Sequence, residues 1–338
     1  MRVVPIRLAV VFALFMLALW TTRPGEHHRP QVHPLIELPP RCSIHGNGDN
    51  AVPVAAEDVS IAGLFANFTD TLLMLSRLYE QYGVELAALH EPARNLCSTL
   101  RAADWTFCST DDVEAEITYM RVREAKPKHI LELAPRAGYS TFFLLAAVRA
   151  NGAGLVHSYD LEDLIQRKAL LTALGEDSEQ LLGRVHRMEV GDARDVFPLA
   201  MAANAPVHGR GERSDGPFFD YIFLDADHSA AFGQWLGQAI LTRQAALQVH
   251  STRRTPVSIH DAFHNYLPSS EAVSALLELP PSATANVKRT LFSAAKCRIG
   301  RHNWQQLLKV RARACAACTS SLPMHGSATN NPSIFFEI

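Results

Sequence analysis

Five acids recur at the ends of short apolar runs: Glu132, Asp160, Asp192, Asp225 and Asp261. Histidines accompany the last two, in Asp225-Ala226-Asp227-His228 and His260-Asp261-Ala262-Phe263-His264. An ionised carboxylate can hold two neighbouring hydroxyls, orient an imidazole or bind a cation. An imidazole exchanges protons near neutral pH. Carboxylates grouped with histidines therefore suit proton removal from a bound nucleophile, and Asp225, His228, His260 and Asp261 are the candidate catalytic residues. In that scheme His228 or His260 is the base, and Asp227 or Asp261 orients it. His260 and His264 stand four residues apart but lack the glutamate of a zinc protease, so that chemistry is set aside.

The elements that must position these residues alternate. His129 to Ala134 is an apolar run too short for a helix and suited to a buried parallel strand. Pro135-Arg136-Ala137-Gly138 makes a sharp turn, and Ser140 and Thr141 are placed to cap a helix whose apolar run is Phe142 to Val148. Asn151-Gly152-Ala153-Gly154 ends that helix, and Leu155 to Tyr159 is a second strand. Leu164 to Leu182 reads as helix, Val185 to Val190 as strand, Val196 to Ala203 as a short helix and Phe218 to Leu224 as strand. Ala230 to Val249 is helical, Pro256 to Ile259 a strand and Ser270 to Leu279 helical. Val287 to Phe292 and Ser333 to Ile338 supply closing strands. Strands alternating with helices predict an α/β fold with a mostly parallel sheet covered on both faces. In such a sheet the ligand lies outside the carboxyl ends of the strands, where the acids fall. Asp160 is placed there to accept from two ribose hydroxyls, or alternatively to cap a helix beginning near Leu161.

ILELAPRAGYST, HSYDLED, VGDARD, FDYIFLDADHS and VSIHDAFH, in this order, resemble the motifs of class I S-adenosylmethionine-dependent methyltransferases, the small O-methyltransferase-like (methyltransferase domain 24) type. FLDADHS after an apolar strand is the most specific of them. The resemblance covers roughly residues 111–338 and implies a Rossmann-like, doubly wound, seven-stranded sheet. It implies that Glu132, Ala134, Arg136, Gly138 and Ser140 form the turn against the methionine part of S-adenosyl-L-methionine. It further implies that Asp160 holds the ribose, Asp192 lies near the adenine and Asp225 sits at the reacting centre. In metal-dependent relatives, acids at the positions of Asp225 and Asp261 hold Mg2+ or another divalent cation. Here Ala262 replaces the asparagine that usually follows. The family turn carries three glycines, and Ala134 and Arg136 stand at the first two. Ala134 costs little where the backbone is β-like, whereas the Arg136 side chain either points outward or meets the cofactor carboxylate. The methyl acceptor implied is an oxygen of a small molecule or glycan. An NAD(P) oxidoreductase is a poor fit, since Gly-x-Gly-x-x-Gly is absent after the first strand. A binding protein that kept the fold and lost the chemistry is the other alternative.

Arg2 and Arg7 precede an apolar run to Trp20, and Val3 to Trp20 is 18 residues, at the edge of bilayer-spanning length. Residues 1–22 therefore read as a signal anchor or signal peptide and 23–55 as a linker rich in Pro, His and Gly. Residues 56–110 read as a helical cap, with Leu64, Phe65, Phe68, Leu72, Leu73, Leu75, Leu78 and Tyr79 forming its apolar stripe. Residues 111–338 are the catalytic domain, entered by an amphipathic helix over Asp111 to Glu124. The implied location is membrane-anchored with a lumenal domain, or secreted. Asn67-Phe68-Thr69 is then a glycosylation acceptor, and the six cysteines are free to pair, Cys97 with Cys108 being a local possibility. A net charge of −2 excludes a generally nucleic-acid-binding chain. No acid occurs between Glu278 and Glu337, and the basic residues there, Arg311 among them, read as a solvated face or a contact for anions.

Overall fold

The computed structural model describes residues 68–102, 112–175, 179–197, 219–226, 230–244, 254–260, 290, 292–293, 296–319 and 333–338. The apolar N-terminal segment, the linker, Asn67, Cys42, Cys108, His228, Asp261 and the helix expected at Ser270 to Leu279 lie outside them. No helix among the described residues is long and apolar enough to cross a membrane.

Two helices lead into the sheet. The first, α1 (Phe68–Ala102), buries Leu75, Leu78, Tyr79, Tyr82, Leu86, Ala93, Leu96 and Leu100 along one stripe. The stripe is narrower than its sequence suggested, for Leu73 is 65% exposed. The second, α2 (Asp112–Ala125), is buried over Val113 to Val122 on every side, as expected of a helix inside a layer rather than on a surface. After it come β1 (His129–Leu133), α3 (Tyr139–Asn151) and β2 (Leu155–Asp160). The helix expected over Leu164 to Leu182 is two, α4 (Arg167–Leu174) and α5 (Glu179–Val185), because Gly175 at φ 70° caps the first. Then follow β3 (His186–Val190), β4 (Tyr221–Leu224) and α6 (Ala230–Trp235), which continues as a π-helix over Leu236–Leu241. The chain closes with β5 (Pro256–Ile259), β6 (Phe292–Ser293), α7 (Lys296–Ala314), α8 (Ala316–Thr319) and β7 (Ile334–Glu337).

The strand order is β3-β2-β1-β4-β5-β7-β6. The pairs β1 with β2, β1 with β4, β2 with β3 and β4 with β5 are parallel, and β7 runs antiparallel to both β5 and β6. From β1 the chain winds outward to β2 and β3, then returns to β1's other side for β4 and β5. That reversal between β1 and β4 is the switch point at which open α/β sheets leave a crevice. Alternation along β1 sends Ile130 into the core shared with α1, α2 and α3, and Leu131 and Leu133 into the core shared with α6.

The basic C-terminal stretch departs from expectation. It forms α7, a 19-residue helix, and one of its arginines is not at the surface. Arg311 is 1% exposed and donates through Nε and Nη2 to the two oxygens of buried Glu116, at 2.7 and 2.5 Å. His90 and Tyr79 complete the shell of Glu116 at 2.8 and 2.9 Å. A buried cation needs such a partner, and the partner is almost two hundred residues away in sequence. Cys315 and Cys318 form a disulfide, and Cys97 is also disulfide-bonded, to a cysteine whose side chain lies outside the described residues.

Candidate functional site

The turn after β1 is built against local preference. Ala134 and Arg136 have φ of 59° and 48°, the left-handed region, which an L side chain enters at a penalty of about 1–2 kcal/mol. The β-like backbone expected of Ala134 is thus not what the fold adopts. Partners hold both residues in place. Ala134 N–H donates to Tyr159 O at 2.8 Å, and Arg136 N–H donates to Asp160 Oδ2 at 3.0 Å. Asp160 Oδ1 accepts from its own successor, Leu161 N–H, at 2.8 Å. Arg136 is exposed, and its contact with Asp160 is made by the backbone N–H. Gly138 ends the turn at φ 97°, where an added Cβ would come within 3.3 Å of Ile165.

Glu132 works beneath this turn. It is 0% exposed and its oxygens accept from Ser140 at 2.8 Å, Thr141 at 3.0 and 3.1 Å, and Ser158 at 2.5 Å. Ser140 and Thr141 therefore do not cap α3. They lie in its first turn and tie it to β1. With its hydrogen given to Glu132, Ser158 accepts from the Nε2–H of His186 at 2.9 Å. Burial pushes the Glu132 carboxyl up to about 7, against the pull of its three hydroxyls. Burial likewise lowers His186 to about 4. These groups set the turn's shape rather than a ligand's.

A cavity of about 170 Å³ opens at the carboxyl ends of β1 to β4, lined among others by Ala134, Asp160, Leu161, Asp192, Arg194 and Ala226. Leu161 is 67% exposed there, an apolar platform beside the Asp160 carboxylate. Asp192 is gripped by Arg194, whose Nε and Nη2 reach its oxygens at 2.9 and 2.5 Å and whose N–H adds a bond at 2.9 Å. Those bonds hold the Asp192 carboxyl down to about 2. Gly191, at φ 141°, permits this loop, since a Cβ there would stand 2.6 Å from Val196.

Beside the cavity, Asp225 and His260 end the adjacent strands β4 and β5. Their Oδ1 and Nδ1 are 3.1 Å apart. Asp225 thus orients the imidazole; Asp227 and Asp261, the residues expected to do so, lie outside the described residues. Glu114 of α2 stands on the ring's other side, its Oε2 at 3.5 Å from Nε2. Glu114 carried no sequence signal, because its part in the site depends on α2 packing across β5. Of the predicted site residues, the cavity brings together Ala134, Asp160 and Asp192, with Asp225 and His260 alongside. Glu132, Arg136, Gly138 and Ser140 support the turn from outside it.

The cation expected at Asp225 and Asp261 finds one ligand among the described residues, and Oδ1 of that ligand already faces His260. A second cluster, His90, Glu116 and Cys318, brings its ligand atoms within 4.8 Å of one another. There the sulfur is in a disulfide and the carboxylate is paired with Arg311, which leaves no ligand set for a cation.

No protein-family profile matches the chain, and no curated protein does. Solved structures do. The O-methyltransferase from Bacillus cereus in complex with SAH is 14% identical, with 73% of this chain and 90% of that chain covered at a TM-score of 0.41. The O-methyltransferase TomG from Streptomyces achromogenes, in complex with SAM, is 14% identical over 73% and 89%, TM-score 0.38. Cofactor-bound Rv0187 from MTB is 15% identical over 59% and 78%, TM-score 0.39. Likenesses this distant do not assign an activity.

Proposed function

We propose that the chain is an S-adenosylmethionine-dependent methyltransferase acting on an oxygen of a small-molecule or glycan acceptor. One observation carries this: the Asp160 carboxylate ends β2 inside a cavity at the sheet's switch point, beside an exposed apolar platform and a second acid one strand further out. A nucleoside needs such an arrangement, with an acceptor for paired hydroxyls, an apolar surface for the base and a polar group at its edge. When bound, the cofactor supplies a methyl group on a positively charged sulfur. An acceptor hydroxyl must lose its proton as its oxygen takes that methyl, and the Asp225 carboxylate, buttressed by His260, is the described group placed to receive it. No step is routed through a metal.

Calorimetry of the purified full chain with S-adenosylhomocysteine tests the reading. Binding by the wild type, weakened at least about tenfold in Asp160→Asn, is the expected result, each tenfold being about 1.4 kcal/mol. A folded Asp160→Asn chain with unchanged affinity would overturn it. Binding without turnover is the second reading, favoured by Ala134, a residue other than glycine that lines the cavity at the turn. Transfer of labelled methyl to any of a panel of phenols, hydroxy acids and sugars would exclude that reading.

We also propose a membrane-anchored or secreted chain facing an oxidising compartment. The disulfides at Cys97 and between Cys315 and Cys318 support it. A mobility shift on endoglycosidase treatment, lost in Asn67→Gln, is its check.

A further inference from the structure

The backbone ladder holds Asp225 and His260 at one level. Asp225 N–H donates to Leu133 O at 3.2 Å and His260 N–H to Leu224 O at 2.8 Å. Their side chains meet at 3.1 Å, and since a carboxylate only accepts, the hydrogen lies on Nδ1. The other ring nitrogen faces Glu114. Glu114 is 0% exposed, and Ser333 N–H holds its Oε1 at 2.5 Å. Its Oε2, aimed at His260 from 3.5 Å, has no hydrogen-bond partner among the described residues. Native folds keep few buried polar atoms in that state, and each calls for a cause.

We propose that Glu114 is a positioning residue of the candidate site. By bracketing the His260 ring at Nε2 it keeps Nδ1 turned to Asp225, and so keeps the Asp225 carboxylate at the reacting end of the cavity. This inference rests on the cofactor reading above. It adds a residue from the helical layer, contributed by α2, to a site otherwise made of strand ends.

The readout is the ratio of affinities for S-adenosylmethionine and S-adenosylhomocysteine, measured by calorimetry on the full chain. The first ligand carries a positive sulfur and the second does not, so a correctly placed Asp225 carboxylate favours the first. Asp225→Asn sets the floor, expected about tenfold below wild type in that ratio. Glu114→Ala, or the space-filling Glu114→Leu should the alanine variant not fold, is expected to fall towards the same floor. Glu114→Gln keeps the length and the Ser333 contact and sets a polar amide against the ring's Nε2, and is expected to restore the wild-type ratio. A role in stability alone would lower melting temperature, or both affinities together, and leave the ratio unmoved, which overturns the proposal. A Gln variant as low as the alanine one overturns positioning in favour of direct charge. An Asp225→Asn ratio equal to wild type removes Asp225 from the reacting end and the proposal with it. Wild type that binds neither ligand sinks the cofactor reading itself, whereas binding of both with an unmoved Glu114→Ala ratio sinks only the part given to Glu114.

Discussion

Glu114 and Glu116 sit two residues apart on α2, both wholly buried, and the fold treats them differently. A step of two residues turns about 200° around a helix, so they face opposite sides. Glu116 faces α1 and α7 and is met by Arg311, His90 and Tyr79. Glu114 faces β5 and receives one backbone N–H and an imidazole at 3.5 Å. The first is compensated on all sides and belongs to the architecture. The second is left short of partners behind the His260 ring, which is the pattern of a group kept for what it does to a neighbour. Burial alone therefore does not separate structural from functional acids, and the completeness of the shell does.

The sharpest way to break this contrast is Glu116→Gln. It strands the Arg311 guanidinium in the core and is expected to destabilise by about 3–5 kcal/mol in denaturant unfolding. A loss under 1 kcal/mol would place Glu116 with Glu114 as an acid of little structural worth.

Glu132 tests a third kind of shell, one made of hydroxyls without a cation. Its carboxyl rises to about 7 in the fold, above an unfolded value near 4.5. The stability tied to its protonated form is therefore full below about pH 4.5 and is lost as pH rises through 7, an effect of about 3 kcal/mol. His186 and His157, both lowered to about 4 by burial, act in the opposite sense. Their contribution is full above about pH 6.5 and is lost as pH falls towards 4. Comparing unfolding free energies of wild type and Glu132→Gln from pH 4 to 8 isolates the carboxyl. Equal slopes in the two proteins would mean that Glu132 stays ionised throughout.

Smaller effects follow at the turn and at α2. Arg136→Gly removes a left-handed side chain while Asp160 keeps its backbone contact. It is expected to stabilise by about 0.5–1 kcal/mol, the relief being partly offset by the freedom glycine adds to the unfolded chain. A destabilised variant would show that the exposed side chain does more for the fold than its conformation takes away. Glu114→Gln should shift stability by less than about 1 kcal/mol in either direction, since few bonds are removed. A loss as large as that of Glu116→Gln would erase the comparison.

The strands and the acids that end them were readable from residue order alone. Alternating short apolar runs and helical spacing are local properties, and β1, β2, β4 and β5 fall within a few residues of where they predict. The pairing of Asp160 with the turn was also within reach, because both lie in one βαβ unit. Other features were not readable. Ser140 and Thr141 look like caps in sequence, yet the buried Glu132 beneath them takes their hydroxyls. Arg311 looks like one member of a basic surface, and only the packing of α7 on α1 and α2 buries it. Lys296 to Ala314 reads first as a run of bases without an acid, yet its helix packs Leu307, Leu308, Val310 and Ala314 against the core.

Sequence by itself determined the order of strands and helices, the acids at the strand ends and the odd residues of the first turn, since each depends on near neighbours in the chain. Tertiary structure alone decided which buried charges are neutralised. It paired Glu116 with Arg311 and set Glu114 against His260, because a charge removed from water depends on whatever group the fold brings within a few ångströms. For both acids that group lies well over a hundred residues away.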